Sequence, residues 1–189
     1  MNVRKKSKVS LGLLVGGLST RFGSEKYRAY LNGIPLVQHV YRAAVDLVDE
    51  ILVSVGSEEK NIGLPFDHAV LDTIAGAGPL EGIRACLSRA SNEWLLIMAC
   101  DLPFITTETL AKLIQHAREP NKIVMCRSQD GQTQPLCGCY HRSLVPFLET
   151  ALKEERFGVH RFVDSVSNVV ELEVPSDELR NINHPDDLS

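Results

Sequence analysis

At 189 residues, with 44% hydrophobic and 23% charged residues, the chain has the size and composition of one globular domain. A formal net charge of −4 excludes the global basic field that draws proteins to nucleic acid, and no apolar run reaches the ~18 residues of a membrane span. The expected setting is therefore the cytoplasm, with no nucleic-acid and no membrane partner.

The chain opens on a basic cluster (Arg4, Lys5, Lys6, Lys8), which reads as a flexible tail over residues 1–8. The cluster and the run behind it have the look of a secretion signal. Val9 to Val15 makes better sense as a strand buried on both faces, because the rest of the chain alternates strands with helices. Pro35 then opens a helical pattern that carries apolar residues through Val48. Residues 51–55 and 68–71 read as strands, 78–90 as a helix entered through glycine and proline, and 93–100 as a deeply buried strand. Residues 106–118 form an amphipathic helix with Thr106 or Thr107 available as its N-cap. Strands at 122–126 and 135–140 flank the turn-prone "SQDGQTQ". A helix over 143–155 tolerates Pro146 in its first turn; a last strand spans 168–174, and "HPDDL" begins a final helix.

This alternation predicts an α/β fold: a doubly wound three-layer domain with a mostly parallel sheet, spanning 1–189. The five cysteines (Cys86, Cys100, Cys126, Cys137, Cys139) show no CxxC spacing and read as reduced packing residues. Cys137 and Cys139 alternate onto one face of a strand. Trp94 and Phe104 read as core, and His39 and His116 as packing or surface residues within helical patterns.

Ligands of open parallel sheets gather at the carboxyl ends of the strands, and two motifs fall there. The first is "LVGGLSTRFGSEK". Gly16 and Gly17 let backbone N–H groups come close to a phosphate, Ser19 and Thr20 offer hydroxyls, and Arg21 offers a planar fork; Lys26 adds a point charge. Neither P-loop nor dinucleotide-fingerprint spacing is present. The second is "MACDLPFI", which puts Asp101 where the buried strand stops. A carboxylate there suits Mg²⁺, which takes one or two protein carboxylates plus substrate phosphates. It equally suits a turn or cap aspartate, and the glycine-rich loop in the same chain moves the balance towards metal.

With "LNGIPLVQHV", "LDTIAGAGPLEGI", "QPLCGCYHRSL" and "NINHPDDL" following in order, these motifs resemble the molybdenum cofactor guanylyltransferases over nearly the whole chain. The loop alone also resembles cytidylyltransferases and sugar-nucleotide pyrophosphorylases. The resemblance implies a Rossmann-like nucleotidyltransferase fold and Mg²⁺-dependent transfer of GMP from GTP to a molybdopterin-type cofactor, with release of pyrophosphate. By the same match, Leu14, Val15 and Gly16 line the nucleotide and Lys26 contacts phosphate. Asp72 helps hold the nucleoside, Asp101 binds the metal, and Gly17, Ser19 and Arg21 complete the triphosphate cradle. Arg21, Lys26 and Asp101 are the implied catalytic residues.

The chain departs from the family pattern at Val15 (usually Ala), Glu25 (often Asp), Gln134 (His in some relatives) and His184 (usually Thr). Ser54 stands where an Asn commonly ends the second strand, which leaves that nucleoside contact open. The basic segment with Arg156, His160 and Arg161 reads either as a contact for the anionic acceptor or as a solvated helix end. Molybdoenzymes or cofactor-assembly proteins are the protein partners such an activity implies. Two other functions fit the same residues: cytidylyl transfer to this or another phosphorylated acceptor, and non-catalytic delivery of nucleotide or cofactor.

Overall fold

The computed structural model describes residues 8–16, 26–56 and 61–188. The basic stretch 1–7 and the centre of the glycine-rich loop, 17–25, lie outside them. The first strand, β1 (Val9–Leu14), is buried along its whole length, as its unbroken apolar run demands. It pairs in parallel with β4 (Glu50–Gly56) on one side and β6 (Trp94–Ala99) on the other. Beyond β4 lies β5 (His68–Leu71), also parallel. Beyond β6 comes β8 (Thr133–His141), which runs antiparallel both to β6 and to β7 (Ile123–Ser128). Parallel to β7, β9 (Val169–Val174) completes the sheet. The order of the seven strands is β5-β4-β1-β6-β8-β7-β9.

Helices cover both faces. On one, α1 (Leu36–Ala44) and α3 (Thr107–His116) send Val37, Val40, Leu110 and Leu113 into a core shared with Leu11, Leu13 and Leu96. On the other, α2 (Pro79–Arg89), α4 (Val145–Lys153) and α5 (Val159–Asp164) contribute Ile83, Leu148 and Phe162 against Leu52, Leu95 and Ile97. This is the expected three-layer, mostly parallel architecture. Among the described residues no helix is long and apolar enough to cross a membrane.

Local chemistry explains where the elements begin and end. Thr106 caps α3 by accepting from the Thr109 N–H at 3.2 Å. Pro146 sits in the first turn of α4. Cys126, Cys137 and Cys139 are all fully buried in the core on the α1 and α3 side, so the cysteines of "CGC" do share one face. His39 is a packing residue whose Nε2 lies 3.0 Å from the Leu31 carbonyl.

Four features refine or differ from the sequence reading. The helix opened by Pro35 stops at Ala44 rather than Val48, because the following turn carries Asp49 to the Val9 carbonyl at 3.3 Å and so into β4. "LNGIP" forms a small hairpin of β2 (Tyr30–Leu31) and β3 (Ile34–Pro35), with Asn32 and Gly33 both at positive φ as an Asn-Gly turn requires. The basic 156–161 segment runs into α5, where Val159, Phe162 and Val163 are buried at helical spacing beneath exposed His160 and Arg161. "HPDDL" makes a 3₁₀ turn, Pro185–Leu188.

A polar knot ties the amino ends of the strands. Glu50, only 8% exposed, accepts from the Ser10 hydroxyl of its register partner on β1, and from the Ser91 N–H and hydroxyl, both at 2.8 Å. Burial alone would push the Glu50 carboxyl up, but these donors outweigh it and hold the group below the usual glutamate range.

At the other seam of the sheet, β8 presses against β7 at Gly138, where a Cβ would lie 2.8 Å from the Val124 carbonyl and 3.0 Å from the Met125 Cα. Backbone cannot yield there as a side-chain tip can. Gly138→Ala is therefore expected to cost about 1–3 kcal/mol of stability. In thermal melting that corresponds to a Tm drop of roughly 2–4 °C per kcal/mol, and an unchanged Tm would refute the close approach.

Candidate functional site

The parallel strands all end on one edge, and β8 begins there because it runs the other way. Register sets the level: Leu14 of β1 stands opposite Ser54 of β4 and Ala99 of β6. Asp101 lies just past β6, held from behind by the buried Leu102 and Ile105. Its main-chain carbonyl accepts the Ile182 N–H at 3.0 Å, so the carboxyl-terminal segment braces the turn. Lys26 begins a 3₁₀ turn whose next residue, Tyr27, is plugged into the core at 2% exposure. That plug brings the lysine to the aspartate. Lys26 Nζ lies 2.8 Å from Asp101 Oδ2 and donates to Asn183 Oδ1 at 3.0 Å.

The lysine and aspartate side chains are 16% and 24% exposed, partly shielded yet open to a ligand. The pair joins the first and second sequence motifs in space. Asp101 offers a hard carboxylate oxygen at the edge, the kind of donor a small divalent cation takes alongside phosphates and water. Among the described residues no cluster of three or more His, Cys, Asp or Glu side chains converges as a ready-made metal cage. That donor set fits Mg²⁺ shared with a substrate better than a resident structural metal.

Asp72 follows β5 and is anchored through its N–H to the Gly56 carbonyl at 2.8 Å. Its Oδ1 is buried with no hydrogen-bond partner among the described residues. Burial, and secondly the negative charge of Glu81, push the Asp72 carboxyl above its ordinary value, with the Ser54 hydroxyl and Arg84 only partly offsetting them. A desolvated acceptor without a donor costs about 1–3 kcal/mol, and at a ligand-binding edge a ligand N–H or O–H removes that cost.

The residues that the resemblance assigns to the nucleotide are arranged unevenly. Leu14 and Val15 are buried and Gly16 is exposed at the mouth of the loop. The Gly16 N–H is engaged within the sheet edge. Like that of Val15, this N–H donates to the Ser54 carbonyl, at 3.0 Å in each case. Glycine is required there because a Cβ would lie 2.6 Å from the nitrogen of Gly56 at the end of β4. Ser54 itself is buried beneath α2, where a Cβ on Gly82 would come within 2.9 Å of its hydroxyl. It faces Asp72 rather than open solvent. Gly17, Ser19 and Arg21 lie outside the described residues.

Next to Lys26 and Asp101 opens a cleft of about 470 Å³, lined among others by Gln132, Thr133, Gln134, Arg180, Asn181 and Asn183. Asn183 belongs to both the cleft and the lysine's hydrogen bonds, so the two are continuous. Gln134 donates to Asn181 at 3.3 Å across the cleft floor. The motif "NINHPDDL" marked this segment in the sequence without giving it a role. The Asp187 carboxylate sets its shape by accepting from the Asn183 and His184 N–H groups, both at 2.8 Å. Arg156 pairs instead with neighbouring Glu154, and His160 and Arg161 lie exposed on α5.

Residues 12–169 match the family model described as the MobA-like NTP transferase domain. The chain is 31% identical over 180 residues to a probable molybdenum cofactor guanylyltransferase of Flavobacterium johnsoniae, covering 94% of this chain and 93% of that protein. It is 33% identical over 184 residues to the molybdenum cofactor guanylyltransferase of Pseudomonas aeruginosa, covering 95% and 92% respectively. The crystal structure of molybdopterin-guanine dinucleotide biosynthesis protein A from Archaeoglobus fulgidus shares the fold, with a TM-score of 0.78, 24% identity and coverage of 95% and 94%.

The raised Asp72 has a measurable consequence without ligand. A carboxyl whose folded value lies above its unfolded value of about 3.9 destabilises the fold increasingly as pH rises from the lower value through the higher. Asp72→Asn should therefore melt above the wild type at pH 7, by up to a few degrees. The gap should shrink as the pH is lowered towards about 4. Calorimetric scans across that range check it, and a gap independent of pH would refute the assignment.

Proposed function

The chain belongs to the MobA-like NTP transferase family and is a nucleotidyltransferase; from that premise we propose that it transfers GMP from GTP to a molybdopterin-type acceptor. The reading is supported by the names of the relatives and, in the structure, by one observation above all. Lys26 and Asp101, 75 residues apart in sequence, meet at the strand ends beside a polar cleft.

In this reading an anionic phosphate oxygen of the acceptor attacks the α-phosphorus of GTP. A new P–O bond forms while the bond to the β-phosphate breaks, and pyrophosphate leaves with its electron pair. The nucleophile is already an anion, so the reaction asks for no general base. The barrier lies in bringing two polyanions together in line. The Lys26 ammonium neutralises phosphate charge, and its bond to Asn183 orients it between nucleotide and cleft. Arg21, with Gly17 and Ser19, would complete the triphosphate cradle.

Asp101 would hold the divalent ion, Mg²⁺ in this reading, which when bound neutralises charge on the phosphates. Asp72 accepts from the nucleoside through its unpartnered oxygen, with Ser54 supporting it from beneath. Leu14, Val15 and Gly16 form the floor on which the nucleotide lies. The glycine-rich turn at 76–78 exposes backbone groups to a purine edge. The amides of Gln134, Asn181 and Asn183 and the Arg180 guanidinium line the place for the acceptor, a compound rich in ring nitrogens and carrying an anionic phosphate. The domain, taken as 1–189, works in the cytoplasm, where molybdoenzymes or cofactor-assembly proteins would receive the product.

Incubation with GTP, Mg²⁺ and molybdenum-loaded molybdopterin is expected to give the guanine dinucleotide by mass together with pyrophosphate. Product from CTP alone would move the assignment to a cytidylyltransferase, and GTP binding without product would make the protein a carrier. Lys26→Ala is expected to lower kcat/KM at least ~10-fold, since a charge-assisted contact is worth roughly 1.5–3 kcal/mol. A change below about twofold would remove the lysine from the phosphate site.

A further inference from the structure

Asp72 is followed by a loop that no regular structure secures. β5 is an edge strand with β4 as its sheet neighbour. Gly76 and Gly78 lie at positive φ, and α2 begins without a side-chain cap. Glycines at such positions make the loop pliable. A strong tether for Thr73 comes from α2. Glu81, in its first turn, has a side chain that is 0% exposed, and it accepts from the Thr73 N–H and the Thr73 hydroxyl, both at 2.8 Å. Arg84, one turn along, donates through Nε to the other carboxylate oxygen at 3.0 Å, through Nη2 to the first, and also to the Thr73 hydroxyl at 3.0 Å.

A fully buried carboxylate is costly unless its lone pairs are taken. Here they are taken by Arg84 and by Thr73, the residue next to Asp72. The desolvation that would push the Glu81 carboxyl up is outweighed by those donors, which hold it ionised.

We infer that Glu81, braced by Arg84, is a positioning residue that latches Thr73 to α2 and thereby sets Asp72 for contact with the nucleoside of the triphosphate substrate. This rests on the reading of Asp72 as the nucleoside acceptor. Glu81 itself touches no ligand: its carboxylate is enclosed, and both its oxygens are occupied. The latch also keeps a negative charge beside Asp72, and Arg84 balances it.

Equilibrium binding of each of the four ribonucleoside triphosphates, measured calorimetrically with Mg²⁺ and no acceptor, tests the latch. For whichever nucleotide the wild type binds most tightly, Glu81→Ala should weaken binding about tenfold, whereas Glu81→Gln should cost less than about threefold because its amide oxygen still accepts from Thr73. In an Asp72→Ala background, Glu81→Ala should add less than about a further twofold. Binding by Glu81→Ala within about twofold of wild type, or an equal loss in both backgrounds, would overturn the proposal.

Should Glu81→Ala melt before it can be assayed, Thr73→Val at its exposed position gives the same readout: roughly threefold weaker binding is expected, and unchanged binding overturns the latch. A preference for CTP would defeat the guanylyl assignment while leaving the latch fully tested. Absence of binding to every nucleotide by the wild type would defeat both.

Discussion

The site depends on the double parallel pairing of β1. Because β1 is clamped between β4 and β6 with Leu14 level with both Ser54 and Ala99, three strand ends are aligned to within a residue. What lies at or just past each strand end is delivered to one edge: Gly16 after β1, Gly56 at the end of β4, Asp101 after β6. Slipping one strand by a residue would turn its side chains to the opposite face. The apolar residues of β1 are packed on both faces, so such a slip would break two cores at once. The ladder of buried leucines and isoleucines is thus what keeps two charged groups, far apart in the chain, within hydrogen-bond distance.

Opposite demands fall on the two ends of the sheet. At the amino end the buried Glu50 carboxylate has a donor on each oxygen, from Ser10 and Ser91, and these hold it below the usual glutamate range. At the carboxyl end Asp72 keeps a buried oxygen unsatisfied, and its charge is disfavoured by burial and by Glu81. One end supports stability and the other gives some of it up, as the proposed nucleoside contact at Asp72 requires, a division familiar in enzymes whose active groups sit in strained or desolvated settings.

Much of this was legible in the chain because burial on both faces leaves a plain signature. The apolar runs at 9–15 and 93–100 read at once as buried strands. "SQDGQTQ" between two apolar stretches read as a turn, and it is the link that lets β8 reverse. The bounds of α5 were hidden because its buried Val159, Phe162 and Val163 are interleaved with His160 and Arg161, a basic segment that read equally as an acceptor contact or a solvated helix end; the exposed pair on α5 fits the second. The Asn-Gly hairpin escaped because each arm is two residues long, too short for any period to show. Asp101 and the glycine-rich loop stood out as separate motifs, but their meeting through Lys26 could not be read from spacing; it requires the tertiary fold. Glu81 was hidden for the opposite reason. A glutamate in the first turn of a helix looks like routine dipole compensation, and only its complete enclosure sets it apart.

The bond between Lys26 and Asn183 joins residues 157 apart in the chain, and the Ile182 N–H reaches back to the carbonyl of Asp101. On the ribosome, where synthesis proceeds from the amino end, the sheet's first three paired strands can assemble long before those residues emerge. The edge that handles charge is completed only once they have emerged. A nascent chain that has passed β6 would hold a folded nucleus yet lack the asparagine that bonds its lysine, so the pair of Lys26 and Asp101 waits for residues 182 and 183.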